Sequence, residues 1–175
     1  MIDLARYQDP LTIQRVLHTA STIAIVGLSG NELRASYFVG YYLRRHGYRV
    51  IPVNPRESEI LGEVCYPSLL DVPVPVDVVN VFRAPDALPG IAREAVAIRA
   101  GALWCQFGVI NAEGARIAED GETAGAAQTG VERTAGGRLE EGGEVVVTEV
   151  VGHAGSCEAA AHRSPMIFSQ SPLEG

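Results

Sequence analysis

The sequence contains no lysine; its 14 strongly basic residues are all arginine. That excludes a Walker-type phosphate-binding lysine, a Schiff-base enzyme and a lysine nucleophile together, and leaves phosphate recognition to backbone amides and guanidinium groups. Apolar runs are no longer than a strand, far short of the roughly 20 residues of a membrane helix. The opening Met1-Ile2-Asp3-Leu4-Ala5-Arg6 has no signal-peptide pattern, so a cytoplasmic protein without a membrane partner is expected. Cys65, Cys105 and Cys157 lack CxxC spacing, which argues against a disulfide framework or zinc site. His18, His46, His153 and His162 are scattered, and indicate neither a metal site nor a triad. A formal charge of −7 argues against a protein that grips nucleic acid through its overall field, and points to small-molecule partners.

What is present is a chain of 175 residues, 47% of them hydrophobic, enough for one ordinary core with an appendage. Thr22-Ile23-Ala24-Ile25-Val26-Gly27-Leu28-Ser29-Gly30 reads as a buried parallel strand entering a phosphate-sized turn. Gly27 lets the backbone turn so that amides and a helix N-terminus face an anion. Gly27-x-Ser29 is only a fragment of the G-x-G-x-x-G fingerprint, because Ser29 replaces the second glycine and Glu32 stands where the third would fall.

The remaining pattern alternates helix and strand. A short amphipathic helix is expected over Pro10–Thr19 and another from Ala35 to about His46, with Gly47 as its stop. Strands are expected at Tyr48–Pro55, with the two prolines at the exit, then at Val76–Phe82 and Ala102–Gln106. Between them fall a loop around Ile60-Leu61-Gly62, a helical turn near Ser68–Leu70, and a helix ending near Arg99; Asn111 caps another through about Glu119. Right-handed crossovers of this length predict an α/β, Rossmann-like doubly wound parallel sheet over residues 1–120, with ligands at the strand C-terminal edge. Residues 121–175 read as an irregular tail: Gly121–Gly137 has no apolar periodicity, and residues 144–151 could add one edge strand.

An NAD-binding unit normally ends its second strand with a carboxylate for the ribose hydroxyls. Here that end reads Val53-Asn54-Pro55-Arg56, which suits a phosphorylated ribose and leaves NADP and coenzyme A as candidates. Arg34, Arg44, Arg45 and Arg56 are the candidate cations; the alternative reading of Arg44 and Arg45 is as solvated helix-end charges.

Five ordered motifs carry a family resemblance: Ile25-Val26-Gly27-Leu28-Ser29; Arg34-x-Ser36-Tyr37-x-Val39; Gly47-Tyr48-Arg49-Val50-Ile51-Pro52-Val53-Asn54-Pro55; Val76-Asp77-Val78-Val79-x-Val81-Phe82-Arg83; and Trp104-x-Gln106-x-Gly108-Val109. Over residues 10 to 120 the chain resembles the small stand-alone CoA-binding proteins, which are similar to the CoA-binding domain of the succinyl-CoA synthetase α subunit. The resemblance implies that Gly27, Leu28, Ser29 and Arg34 surround a pyrophosphate, with Ser36 and Val39 shaping the helix start. It places Asn54 and Pro55 on the adenosine side, Phe82, Arg83 and Pro85 along the pantetheine path, and Gln106 and Gly108 at the closing end.

The resemblance implies coenzyme A or an acyl-CoA as ligand, held by a non-catalytic binding module. The synthetase reaction uses a phosphorylated histidine in a second domain with no counterpart here, so ligase activity is not expected. Cys105 could approach a CoA thiol and form a mixed disulfide; the alternative is a buried structural cysteine. Two competing classes remain: an NADP-dependent oxidoreductase fragment, which needs room for a nicotinamide and a substrate, and a structural protein with a decayed nucleotide site. Family members continue into an apolar strand ending in Asp-Arg-Cys and a short helix with Glu-His. This chain has Glu122-Thr123-Ala124-Gly125-Ala126-Ala127 instead, which implies a diverged or frame-shifted C-terminus.

Overall fold

Short β-branched segments flanked by amphipathic helices can bury both sheet faces only by alternating in space as they do in sequence. The computed structural model, which describes residues 10–106, 108–125 and 147–149, follows that rule. Helix α1 (Pro10–Thr19) leads into β1 (Thr22–Val26), α2 (Ala35–Arg45) and β2 (Arg49–Val53). A hairpin, β3 (Glu59–Ile60) and β4 (Glu63–Val64), precedes β5 (Val78–Val81), α3 (Leu88–Ala97), β6 (Ala102–Cys105), α4 (Ala112–Gly125) and β7 (Val147–Glu149). The main sheet runs β2-β1-β5-β6-β7, every pair parallel.

Side-chain alternation divides the core in two. Ala24, Val79, Val81, Leu103 and Cys105 face α3 and α4, packing with Leu88, Ala92, Ala115 and Ala118. Ile23, Ile25, Val78 and Ala102 face α1 and α2, packing with Val16, Leu17 and Leu43. Cys105 is 1% exposed, with its thiol buried inside the α3/α4 core. The alternative reading, a structural cysteine, holds.

Three expectations are corrected. Pro52 lies within β2 rather than at its exit; β2 is the edge strand of the main sheet, where a missing N–H costs no ladder bond. The loop around Ile60-Leu61-Gly62 is the β3–β4 hairpin turn, with Leu61 and Gly62 at φ 55° and 74° and the Leu61 carbonyl held by the Arg44 guanidinium. Helix α4 runs past Glu119 to Gly125. Its packing face is built from small residues: a Cβ on Gly114 would lie 2.7 Å from Leu88 Cγ, and one on Gly121 would collide with Val96. Glycine and alanine let α3 and α4 touch closely but register poorly as apolar periodicity.

Strand β7 falls within the 144–151 window, alongside β6. The rest of the expected tail lies outside the described residues. Among the described residues no helix is long and apolar enough to cross a membrane.

The strand N-terminal edge is held by Asp77, whose Oδ2 accepts from the Ser21 and Thr22 amides at 2.7 and 2.8 Å, while its backbone bonds Thr22 and Ala102. Asp77→Ala removes a shared acceptor and leaves two amides at the mouth of β1 unbonded. A loss of about 2 kcal/mol in unfolding free energy by urea titration is expected; an unchanged midpoint would show that water replaces the carboxylate.

Candidate functional site

All strands of the main sheet are parallel, so the loops after β1, β2, β5 and β6 emerge on one edge. At the end of β1, Gly27 has φ +88°, and a Cβ there would collide with the Phe82 carbonyl oxygen and lie 2.8 Å from Arg83 Cδ. Glycine thus brings the exit of β1 against the exit of β5 and lets the Arg83 side chain lie across the turn. The Gly27 amide donates to Val53 O and the Phe82 amide to Val26 O, both at 2.8 Å, so all three strand ends are tied together.

The loop that follows is organised by its own side chains. Ser36, 5% exposed on α2, accepts from the Ser29 amide at 3.2 Å; Ser29 Oγ accepts from Asn31 N, and Asn31 Oδ1 from Leu33 N. Leu28 is fully buried beneath the loop. Helix α2 then begins with Arg34 at its N-cap, no side-chain cap and no acidic residue in the first turn, which leaves its amides and dipole available to an anion. Desolvation, followed by the Glu32 carboxylate, pushes the Tyr37 phenol up, so Tyr37 stays a donor to Glu32 Oε1 at 3.3 Å.

After β2, Asn54 acts as a latch. Its Nδ2 donates to Leu28 O at 2.8 Å and its Oδ1 accepts from Arg56 N at 3.1 Å, with Pro55 exposed at the corner of the turn to Glu57. Both ends of the Asn54 amide serve the loops. Cys65 Sγ donates to Asn54 O at 3.4 Å; burial first of all pushes this thiol up, keeping it a protonated donor rather than a nucleophile.

The expected cations divide cleanly. Arg44 and Arg45 sit at the far end of α2, bonded to Leu61 O and to Tyr41 OH respectively, one helix length of about 16 Å from its N-terminus. Arg34, Arg56 and Arg83 are exposed and have no side-chain partner among the described residues. They follow β1, β2 and β5, three adjacent strands, and so mark the same edge.

Other expected residues have structural duties. Val39 packs into the α1/α2 core, Phe82 is half-buried against the same cluster, and Pro85 opens the 3-10 turn Pro85–Ala87 that feeds α3. Gly108 has φ +79° in the turn after β6, closed by the Val109 amide on Gln106 O at 2.9 Å. Gln106 is half-buried, and its Nε2 donates to Asn80 Oδ1 at 2.8 Å.

Two residues at this edge escaped sequence reasoning. Glu57 places Oε1 3.4 Å from Gly30 N, an acidic group against the loop after β1. Asn80 is 5% exposed in the centre of β5. A polar residue inside the apolar run Val78–Val81 was the available signal for Asn80; the approach of Glu57, 27 residues after Gly30, had none. Among the described residues no group of three or more His, Cys, Asp or Glu could hold a metal ion.

Comparison with known proteins places the chain in a family. The chain is 41% identical over 101 residues to the uncharacterized protein YneT of Bacillus subtilis (strain 168), covering 58% of this chain and 75% of that one. It is 29% identical over 91 residues to the ADP-forming acetate–CoA ligase II of Archaeoglobus fulgidus, covering 51% of this chain but only 14% of the ligase. A solved structure of cell-free ID.343 from Thermus thermophilus superposes with a TM-score of 0.65 at 31% identity, over 81% of this chain and 91% of that one. Residues 21–132 match the CoA binding domain, and the chain belongs to that family.

Proposed function

We propose that the protein binds coenzyme A or an acyl-CoA at the C-terminal edge of its parallel sheet, without transforming it. The observation that carries this reading is the set of three arginines without a side-chain partner among the described residues, Arg34, Arg56 and Arg83, on the loops of three neighbouring strands around the uncapped start of α2. In a chain of net charge −7, cations left without carboxylate partners at one edge are suited to an external polyanion. CoA offers a pyrophosphate and a 3′-phosphate. The pyrophosphate fits the α2 N-terminus between Arg34 and Arg83, and the 3′-phosphate fits the Arg56 loop beyond β2. The groups gathered at the edge hold and orient anions; a paired nucleophile and base is not among them in the described residues.

Calorimetric titration with CoA, 3′-dephospho-CoA and NADPH at one salt concentration tests the reading. CoA is expected to bind most tightly, and loss of the 3′-phosphate to weaken it about tenfold or more. Arg34→Ala should weaken it about 10- to 100-fold, the range for a charge-assisted contact. Preferential binding of NADPH would overturn the CoA reading in favour of the oxidoreductase class, and silence with all three ligands would favour a decayed site.

Glu57 supplies a second test. Its carboxylate opposes a phosphate at Gly30, so Glu57→Gln, which keeps the shape and removes the charge, should tighten CoA binding by about three- to tenfold at neutral pH. Weaker binding by this variant would instead mean that the carboxylate accepts a hydrogen bond from the ligand.

A further inference from the structure

Asn80 is chemically out of place in its strand. It stands between Ile25 of β1 and Trp104 of β6, 95% buried, and strand alternation puts its side chain on the α1/α2 face with Val78 rather than with Val79 and Val81. An amide in that position is costly unless its donors and acceptor are all bonded; an aliphatic residue would cost nothing. Only its Oδ1 is bonded, by Gln106 Nε2. Its Nδ2 has no acceptor among the described residues. Gln106, with Nε2 committed, keeps Oε1 without a donor among the described residues. The two amides therefore hold each other, and each keeps one unfilled group near the ends of β5 and β6, one strand from the Gly27 turn. Trp104 and Phe82 are half-buried on the same face and border the pair with apolar surface.

We propose that the Asn80–Gln106 pair is a subsite for the amides of the ligand's extended arm. Gln106 Oε1 accepts an amide N–H of the arm, and a carbonyl of the arm satisfies Asn80 Nδ2. Asn80 is a positioning residue for Gln106: by accepting from Nε2 it fixes which end of the Gln106 amide is offered. A donor and an acceptor held rigidly in a mostly apolar setting reject an arm that lacks their complements, because the buried groups then stay unpaired. The inference rests on the CoA reading, since the pantetheine arm carries secondary amides along a flexible apolar chain. Adenosine 3′,5′-bisphosphate has the nucleotide end of CoA and no arm.

The test measures the affinities of CoA and of adenosine 3′,5′-bisphosphate for the wild-type chain, Asn80→Ala, Gln106→Ala and the double variant. Each single substitution is expected to weaken CoA about tenfold, the effect of one amide hydrogen bond, and to leave the bisphosphate within about twofold. The double variant should bind CoA more weakly than Gln106→Ala alone, but by less than the product of the two single effects, since Asn80 both contacts the arm and acts through Gln106. Unchanged bisphosphate binding shows that the variants are folded. Equal losses for both ligands, CoA affinity within twofold of wild type, or single effects that multiply in the double variant would each overturn the subsite. A wild-type chain that binds the bisphosphate but not CoA, or neither, would overturn the CoA reading itself.

Discussion

The close approach of Gly27 to Phe82 is the constraint on which the candidate site depends. Any side chain at position 27 would occupy the space of the Phe82 carbonyl, and the positive φ there turns the chain at once out of β1. That turn buries Leu28, brings the Ser29 amide to Ser36, and starts α2 over the end of the strand. The same contact lays Arg83 across the turn, so a residue more than fifty positions along the chain joins the loop without any bond to it. Backbone proximity, rather than side-chain recognition, assembles this part of the edge.

The arginines of the chain differ in their partners. Three arginines away from the strand exits have visible partners: Arg44 holds the hairpin turn, Arg93 pairs with Glu113 between α3 and α4, and Arg116 pairs with Asp120 along α4. These exposed ion pairs add little stability. Those at the strand exits have no such partner among the described residues, and the nearby acid Glu32 is occupied by Tyr37. Glu57 stands at the edge of the loop after β1, where its carboxylate contacts the Gly30 amide.

Local chemistry made much of the fold legible. Strands β1, β5 and β6 are short apolar runs bounded by Gly, Pro or Asp, and α1 and α2 carry apolar residues at helical spacing, so their existence and order could be read directly. The extent of α4 could not, because its contact with α3 is made by Gly114, Gly121 and alanines, which carry no periodic signal. Arg34 was legible from its place at the junction of a glycine turn and a helix. Asn54 was legible as important but not in its task, since latching two loops together depends on the separation of β1 and β2 in space.

Residue order and chemical type by themselves determined the alternating α/β class, the glycine turn after β1, the absence of lysine chemistry and the family to which the chain belongs. Those properties follow from spacing, sterics and side-chain inventory within a few residues. Tertiary structure alone decided which arginines lack a partner among the described residues, that Glu57 reaches Gly30, that Cys105 is sealed away, and that Asn80 meets Gln106. Each depends on strand order and on which face a side chain takes after long-range pairing. Sequence proximity carries no information about contacts across 26 or 27 positions until the sheet has been assembled.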